Sequence, residues 1–268
     1  MRGRERGFAL LIVLWTMVLL ALLTAQVTGA GRSEAQLAAA QRISAQLQAA
    51  ADGGVQETIW HMMEGGGDYW PPGAGSYDLK EPGALVHVDV EDDRGKLDVN
   101  QVPPALLTGL FLVLGADNDT ATLVGNTITD WRSDSNPGDP SENVPPEYRM
   151  EGRTWGPPGQ NIERLDELLL VRGMTPQLYQ AALPYLTLAL EQGPWMQFAP
   201  PMVAAAMAKA KRTAGFSVDS PDPRGPIVLR IRAEAVAQGG ARFVRRVLLR
   251  FDGALSGPSW KYRILEWE

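Results

Sequence analysis

Hydrophobic and polar positions change rhythm several times along this chain. Phe8 to Ala25 is apolar without one charge, and about 27 Å long if helical. Helix-forming residues then continue through SEAQLAAAQRISAQLQAA to about His61. Leu37, Ala40, Ile43, Leu47, Ala50, Ala51, Val55 and Ile59 recur at steps of three and four. That spacing predicts one long helix whose outer half buries a stripe against a sheet. Gly53-Gly54 is a place for it to bend. GGGDYWPPGAGS stops the helix.

Period two then takes over. Ala84–Val90 alternates and is β-branched, predicting a strand. EDDRG reads as a solvated turn and Lys96–Asn100 as a second short strand. Pro103-Pro104 opens a helical stretch that runs to about residue 190. Its predicted helices are PPALLTGLFLVLG, ended by Gly115; TATLVGNTITDWR, capped by Asp119; NIERLDELLLVRG; and TPQLYQAALPYL, with Thr175 as N-cap and Pro176 first in the helix. A polar, Pro-rich loop separates the second and third. Another helix is predicted at Pro201–Thr213. Alternation returns at Ile227–Ala237, Gly239-Gly240 makes a hairpin turn, and Ala241–Phe251 and Trp260–Trp267 complete the strands. Strands on both sides of a helical block imply an α+β fold: a long helix on an antiparallel sheet, with a helical insertion.

The N-terminus decides the compartment. Arg2, Arg4 and Arg6 precede Gly7-Phe8 and the apolar run. A cleaved secretory signal has a shorter apolar core and small residues before the cut. Val27-Thr28-Gly29-Ala30 is only a passable cut site, and no helix breaker follows it. A plain single-span anchor is the second reading. The third, favoured by RERG/FALLIVLW, is a prepilin signal cut between Gly7 and Phe8 that leaves the apolar segment attached. In the last two readings the basic leader holds the N-terminus in the cytoplasm and the body lies outside.

Charge and chemistry narrow the function. The chain has net charge -6, and losing residues 1–7 removes three Arg and one Glu, leaving -8. Such a body is poorly suited to nucleic acid. With no Cys there is neither a disulfide nor a thiol nucleophile, and His61 and His87 are isolated. The chain is therefore read as non-enzymatic. The loop from Asp130 to Glu151 concentrates oxygen donors, among them Asp134, Asn136, Asp139 and Glu142. Calcium takes six to eight oxygens from such loops, but this spacing is not an EF-hand, and a solvated acidic loop remains the alternative.

The elements in this order resemble the type II secretion minor pseudopilin K family, also called general secretion pathway protein K. The segments that carry the resemblance are RG/FALLIVLW, EDDRGKLDVNQ, ITDWRSDSN, LDELLLVRGMTPQLYQAALPYLT and the closing KYRILEWE. A further helical segment usual in that family, opened by a Val-Asn-Thr-Ala type motif, has no counterpart at residues 191–216.

The resemblance implies a prepilin leader at 1–7, a transmembrane and amphipathic helix at 8–64 and a pilin-like β section at 77–102. It also implies an inserted, SAM-like helical domain at 103–190, a linker with a short helix at 191–225, and C-terminal strands at 226–268. It implies processing by prepilin peptidase, with methylation of Phe8. The protein would be single-pass in the inner membrane, with a periplasmic body. Its partners would be the I and J minor pseudopilins and the major pseudopilin, with secreted cargo or the secretin as further contacts. The implied function is to nucleate the pseudopilus from its tip. Ile12, fifth in the processed chain, stands where most pilins carry Glu, which marks a tip subunit. Calcium at Asp134, Asn136, Asp139 and Glu142 is implied as well. Two other readings stay open: a minor pilin of a related type IV pilus or competence machine, and a membrane-anchored helix-hairpin-helix DNA-binding protein centred on LLLVRGMTPQLY.

Overall fold

The computed structural model describes residues 5–63, 69–71, 73, 75–133, 144–191, 193–215, 225–252 and 261–268, the side chains of 5–9 and 25–33 excepted. Helix α1 (Glu5–Met63) is followed by strands β1 (Gly75–Glu81), β2 (Ala84–Asp92) and β3 (Leu97–Asp98). Helices α2 (Pro104–Val113), α3 (Asn118–Arg132), α4 (Pro146–Met150) and α5 (Pro176–Ala182) come next, then β4 (Leu186–Thr187) and α6 (Pro201–Ala214). Strands β5 (Ile227–Ala237), β6 (Arg242–Asp252) and β7 (Lys261–Trp267) close the chain. The main sheet has the order β1-β2-β5-β6-β7, and β3 pairs in parallel with β4. The fold is α+β.

The chain divides into two compact units. The first comprises Met1–Glu57, Tyr77–Val88 and Ala233–Arg245. Within it, the α1 stripe is buried at Leu47, Ala50, Ala51 and Val55, whereas Leu37 and Ile43 are exposed. Helix α1 runs through Gly53-Gly54 without a break. Gly54 serves close approach: a Cβ there would lie 2.8 Å from Val86 Cγ1. The Asp52–Arg245 ion pair ties the helix to β6 at the same level.

Leu10 to Leu23 of α1 are apolar and mostly more than half exposed. Among the described residues, no helix is long and apolar enough to cross a membrane. The apolar stretch with described side chains covers only residues 10–24, short of the roughly 20 that a span needs.

The second unit comprises Thr58–Ser76, Asp89–Arg232 and Arg246–Glu268. Its main core gathers Leu97, Leu107, Phe111, Val124, Ile128 and Tyr148 with residues of α5 and α6. α6, which the sequence suggested as a short helix in a linker, belongs to this core through Val203, Ala206, Met207 and Ala210. Glycines let the helices touch. A Cβ on Gly109 of α2 would sit 2.6 Å from the Ala206 carbonyl, and one on Gly125 of α3 would sit 2.5 Å from Thr108 Oγ1.

Several local expectations change in detail. Asp117, not Asp119, caps α3, accepting from the Thr120 amide at 2.9 Å. Leu165–Leu170 is a 3-10 helix rather than an α-helix. β1 was hidden in a stretch too polar to read as a strand. Thr175 caps α5 with Pro176 first in the helix, as predicted.

Candidate functional site

The region where the β section gives way to the helices carries a dense set of hydrogen bonds and ion pairs, and it is built from EDDRGKLDVNQ. Asp92 caps a short 3-10 turn, Asp93–Gly95, by accepting from the Arg94 amide. Asp93, Arg94 and Gly95 are buried, so the expectation of a solvated charge run holds for Glu91 but not for the rest of the turn. The buried charges are compensated by near neighbours and by side chains distant in sequence together. Arg94 forms a two-pronged ion pair with Asp92, and its guanidinium lies 3.9 Å from the Phe198 ring centre and 4.9 Å from that of Trp195. Such a stack adds a cation–π contribution of about 0.5–2 kcal/mol.

Asp93 is fully buried. Its Oδ2 accepts from Arg230 at 2.9 Å and from Thr187 at 3.2 Å. Oδ1 has no partner in hydrogen-bond geometry but lies 2.7 Å from the Lys96 ammonium, so an ionic contact satisfies it. Lys96 also reaches Glu91 at 3.0 Å. Burial alone disfavours the Arg230 charge, but Asp93 and Glu266 outweigh it and hold its pKa above the ordinary value.

Residues 195–199 strap this turn. The Trp195 amide donates to the Arg94 carbonyl at 2.8 Å. Gly95 lies so close to the strap that a Cβ would fall 2.0 Å from the Phe198 carbonyl oxygen. Two residues on, Asp98 accepts from the Asn100 amide and the Leu190 amide, each at 2.8 Å. Burial pushes the Asp98 carboxyl up despite those bonds and the charge of Arg132. The Asn100 side chain exchanges two 2.9 Å bonds with the Ile162 backbone. Arg132, at the end of α3, donates to the carbonyls of Val99 and Val102. The segments singled out by sequence thus meet here: the strand-turn, the end of ITDWR and the stretch around LDELLL.

Asp134, Asn136, Asp139 and Glu142 lie outside the described residues. Their loop leaves from α3 and returns to α4. On those flanks Asp130 is held above the ordinary carboxyl range, first by desolvation and then by the charge of Glu147. Among the described residues, no group of three or more acidic or His side chains is placed to hold a metal. Trp131 stands edge-on to Trp155 at 5.9 Å, and Arg153 lies 5.1 Å from the Trp155 ring centre.

The helix-hairpin-helix-like turn is a packed joint. Gly173 has φ +85° and abuts Leu123 and Val124, while Thr127 donates to the Arg172 carbonyl. The Arg172 guanidinium is engaged by Glu151 at 2.6 Å. His87 pairs with Asp78 at 2.7 Å at a partly exposed position, and His61 stacks on Trp70. Gly7 and Phe8 fall within the first turns of α1, with side chains outside the description, and Ile12 is 48% exposed.

A long helix that covers an antiparallel sheet, with a helical block spliced between strands, is the architecture of a pilin-like protein. Residues 83–191 match the family described as Type II secretion system (T2SS), protein K. In fold, the chain is similar to a chain of the GspK-GspI-GspJ complex from the type 2 secretion system of enterotoxigenic Escherichia coli. The likeness has a TM-score of 0.59 at 14% identity, covering 88% of this chain and 98% of that one. No curated protein sequence is significantly similar. The sequence likeness is thus confined to residues 83–191, while the likeness in fold extends over most of the chain.

Proposed function

We propose that the protein sits at the tip of a type II secretion pseudopilus and nucleates its assembly for export across the outer membrane, without enzymatic activity. The observation that carries this reading is the helical block with its own core, from Leu97 to Ala210, spliced into the strands. A subunit stacked above such a block would have to displace it, which suits a subunit with nothing above. The uncharged Ile12 supports the same position, because a carboxylate there is what places most pilins in a growing stack.

Prepilin peptidase cuts between Gly7 and Phe8, Phe8 is methylated, and residues 8 to about 28 anchor the chain in the inner membrane with the body in the periplasm. The exposed apolar side chains of Leu10 to Leu23 support that anchor. The partners are I- and J-type minor pseudopilins, as in the complex of the similar structure, together with the major pseudopilin and, at the tip, cargo or the secretin. Asp134, Asn136, Asp139 and Glu142 hold a calcium ion that fixes the α3–α4 loop. The Asp130–Glu147 repulsion on its flanks is a feature that a nearby divalent cation relieves.

The test is filament assembly in cells with the gene deleted. Loss of pseudopili and of secretion, restored by a tagged chain found at one filament end, is expected. Normal filaments without the chain, or tag along their whole length, would overturn the reading.

A further inference from the structure

A second feature of the second unit is a cleft of 720 Å³. Its walls carry Glu91, Glu163, Asp166, Glu266 and Glu268, against Lys96, Arg164 and Arg230. Each cation is already committed: Lys96 to Glu91 and Asp93, Arg164 to Asp166, Arg230 to Asp93 and Glu266. Glu163 and Glu268 form no ion pair among the described residues, so the cleft holds an excess of negative charge. Its apolar surface comes from Leu165, Tyr179, Leu183, Leu186 and Leu188.

Size and shape say what fits. The volume lies in the range of pockets that hold organic groups, many times the roughly 30 Å³ of one water. The carboxylates are spread over the walls and do not converge as metal ligands do. The edge strand β7, which supplies Glu266, is irregular where it pairs with Leu248 and Leu249 of β6, and it carries Lys261 and Arg263. Bulges and charges on an edge discourage strand addition, so recognition here is by side chains. We propose that this cleft binds an extended segment of a partner polypeptide that presents a lysine or arginine beside an apolar side chain. The excess carboxylates receive the cation and the leucine-lined wall receives its neighbour. This assignment goes beyond the tip reading and does not depend on it.

The test is fluorescence anisotropy with the full chain in detergent and a labelled Leu-Lys-Leu-Arg-Leu peptide. Acidic (Leu-Glu-Leu-Asp-Leu) and apolar-free (Gly-Lys-Gly-Arg-Gly) peptides serve as comparisons. Saturable binding of the first peptide alone is expected. The Glu163→Gln/Glu268→Gln double variant should weaken it about tenfold with an unchanged melting curve, and Glu34→Gln on α1 should leave it unaltered. Equal binding of the acidic peptide, or full affinity in the double variant, would overturn the proposal. Displacement by calcium at constant ionic strength would overturn it too and assign the cleft to an ion.

Discussion

Replacing Asp93 by alanine is the sharpest perturbation of the junction. The carboxylate is inaccessible to solvent and contacts Lys96 at 2.7 Å, Arg230 at 2.9 Å and Thr187 at 3.2 Å. Breaking a buried ion pair from one side costs about 3–5 kcal/mol, because the remaining charge is stranded. Here each cation keeps a second carboxylate: Lys96 keeps Glu91 at 3.0 Å and Arg230 keeps Glu266 at 3.4 Å. Both of those partners are about half exposed, so they recover only part of the loss. The expected cost is therefore near the lower end, about 3 kcal/mol. For a chain of this size that lowers the melting temperature by about 6–12 °C. Asp93→Asn keeps an acceptor for Thr187 but no charge, and should fall between. Circular dichroism melts of the full chain in detergent read both variants. A shift under about 2 °C for Asp93→Ala would refute the claim that this buried ion cluster holds the second unit together.

Other expectations follow from the same geometry. Gly95→Ala places a methyl against the Phe198 carbonyl and should cost about 3 kcal/mol in the same melts, whereas Gly239→Ala, with open space around it, should be silent. Asp98 has a raised pKa, so its contribution to stability is complete below the ordinary 3.8 and is lost as pH rises through the folded value. The melting-temperature difference between wild type and Asp98→Asn should therefore shift in favour of wild type as pH falls from 7 towards 4. If calcium occupies the α3–α4 loop, a hundredfold excess over its Kd adds about 2.7 kcal/mol. A melting shift that chelation removes, and that Asp134→Asn/Asp139→Asn lacks, is the expected record. Ile12→Glu should let the chain enter along the filament and reduce the number of filaments started, as counted by immunogold labelling.

Periodicity made the outer stripe of α1, the paired β5–β6 hairpin and the Thr175-Pro176 helix start legible, because each rests on local spacing or local capping. β1 was not legible, since GSYDLKE is polar and only Leu79 is buried. The EDDRG turn misled for a related reason. A charge run is normally solvated, and only the distant partners Thr187, Trp195, Phe198 and Arg230 make its burial possible. The one local hint was the near balance of three acids against Arg94 and Lys96 within six residues. At Gly53-Gly54 the packing role was not legible, because a helix-weakening pair and a close-packing pair look alike until the facing Val86 is known.

Everything proposed for the filament requires that the apolar helix survive maturation. Intact mass and N-terminal sequencing of the protein taken from its own membrane test this directly. A mature chain beginning at a methylated Phe8 is the expected result. A chain beginning near Gly31, with residues 8–30 removed, would contradict it.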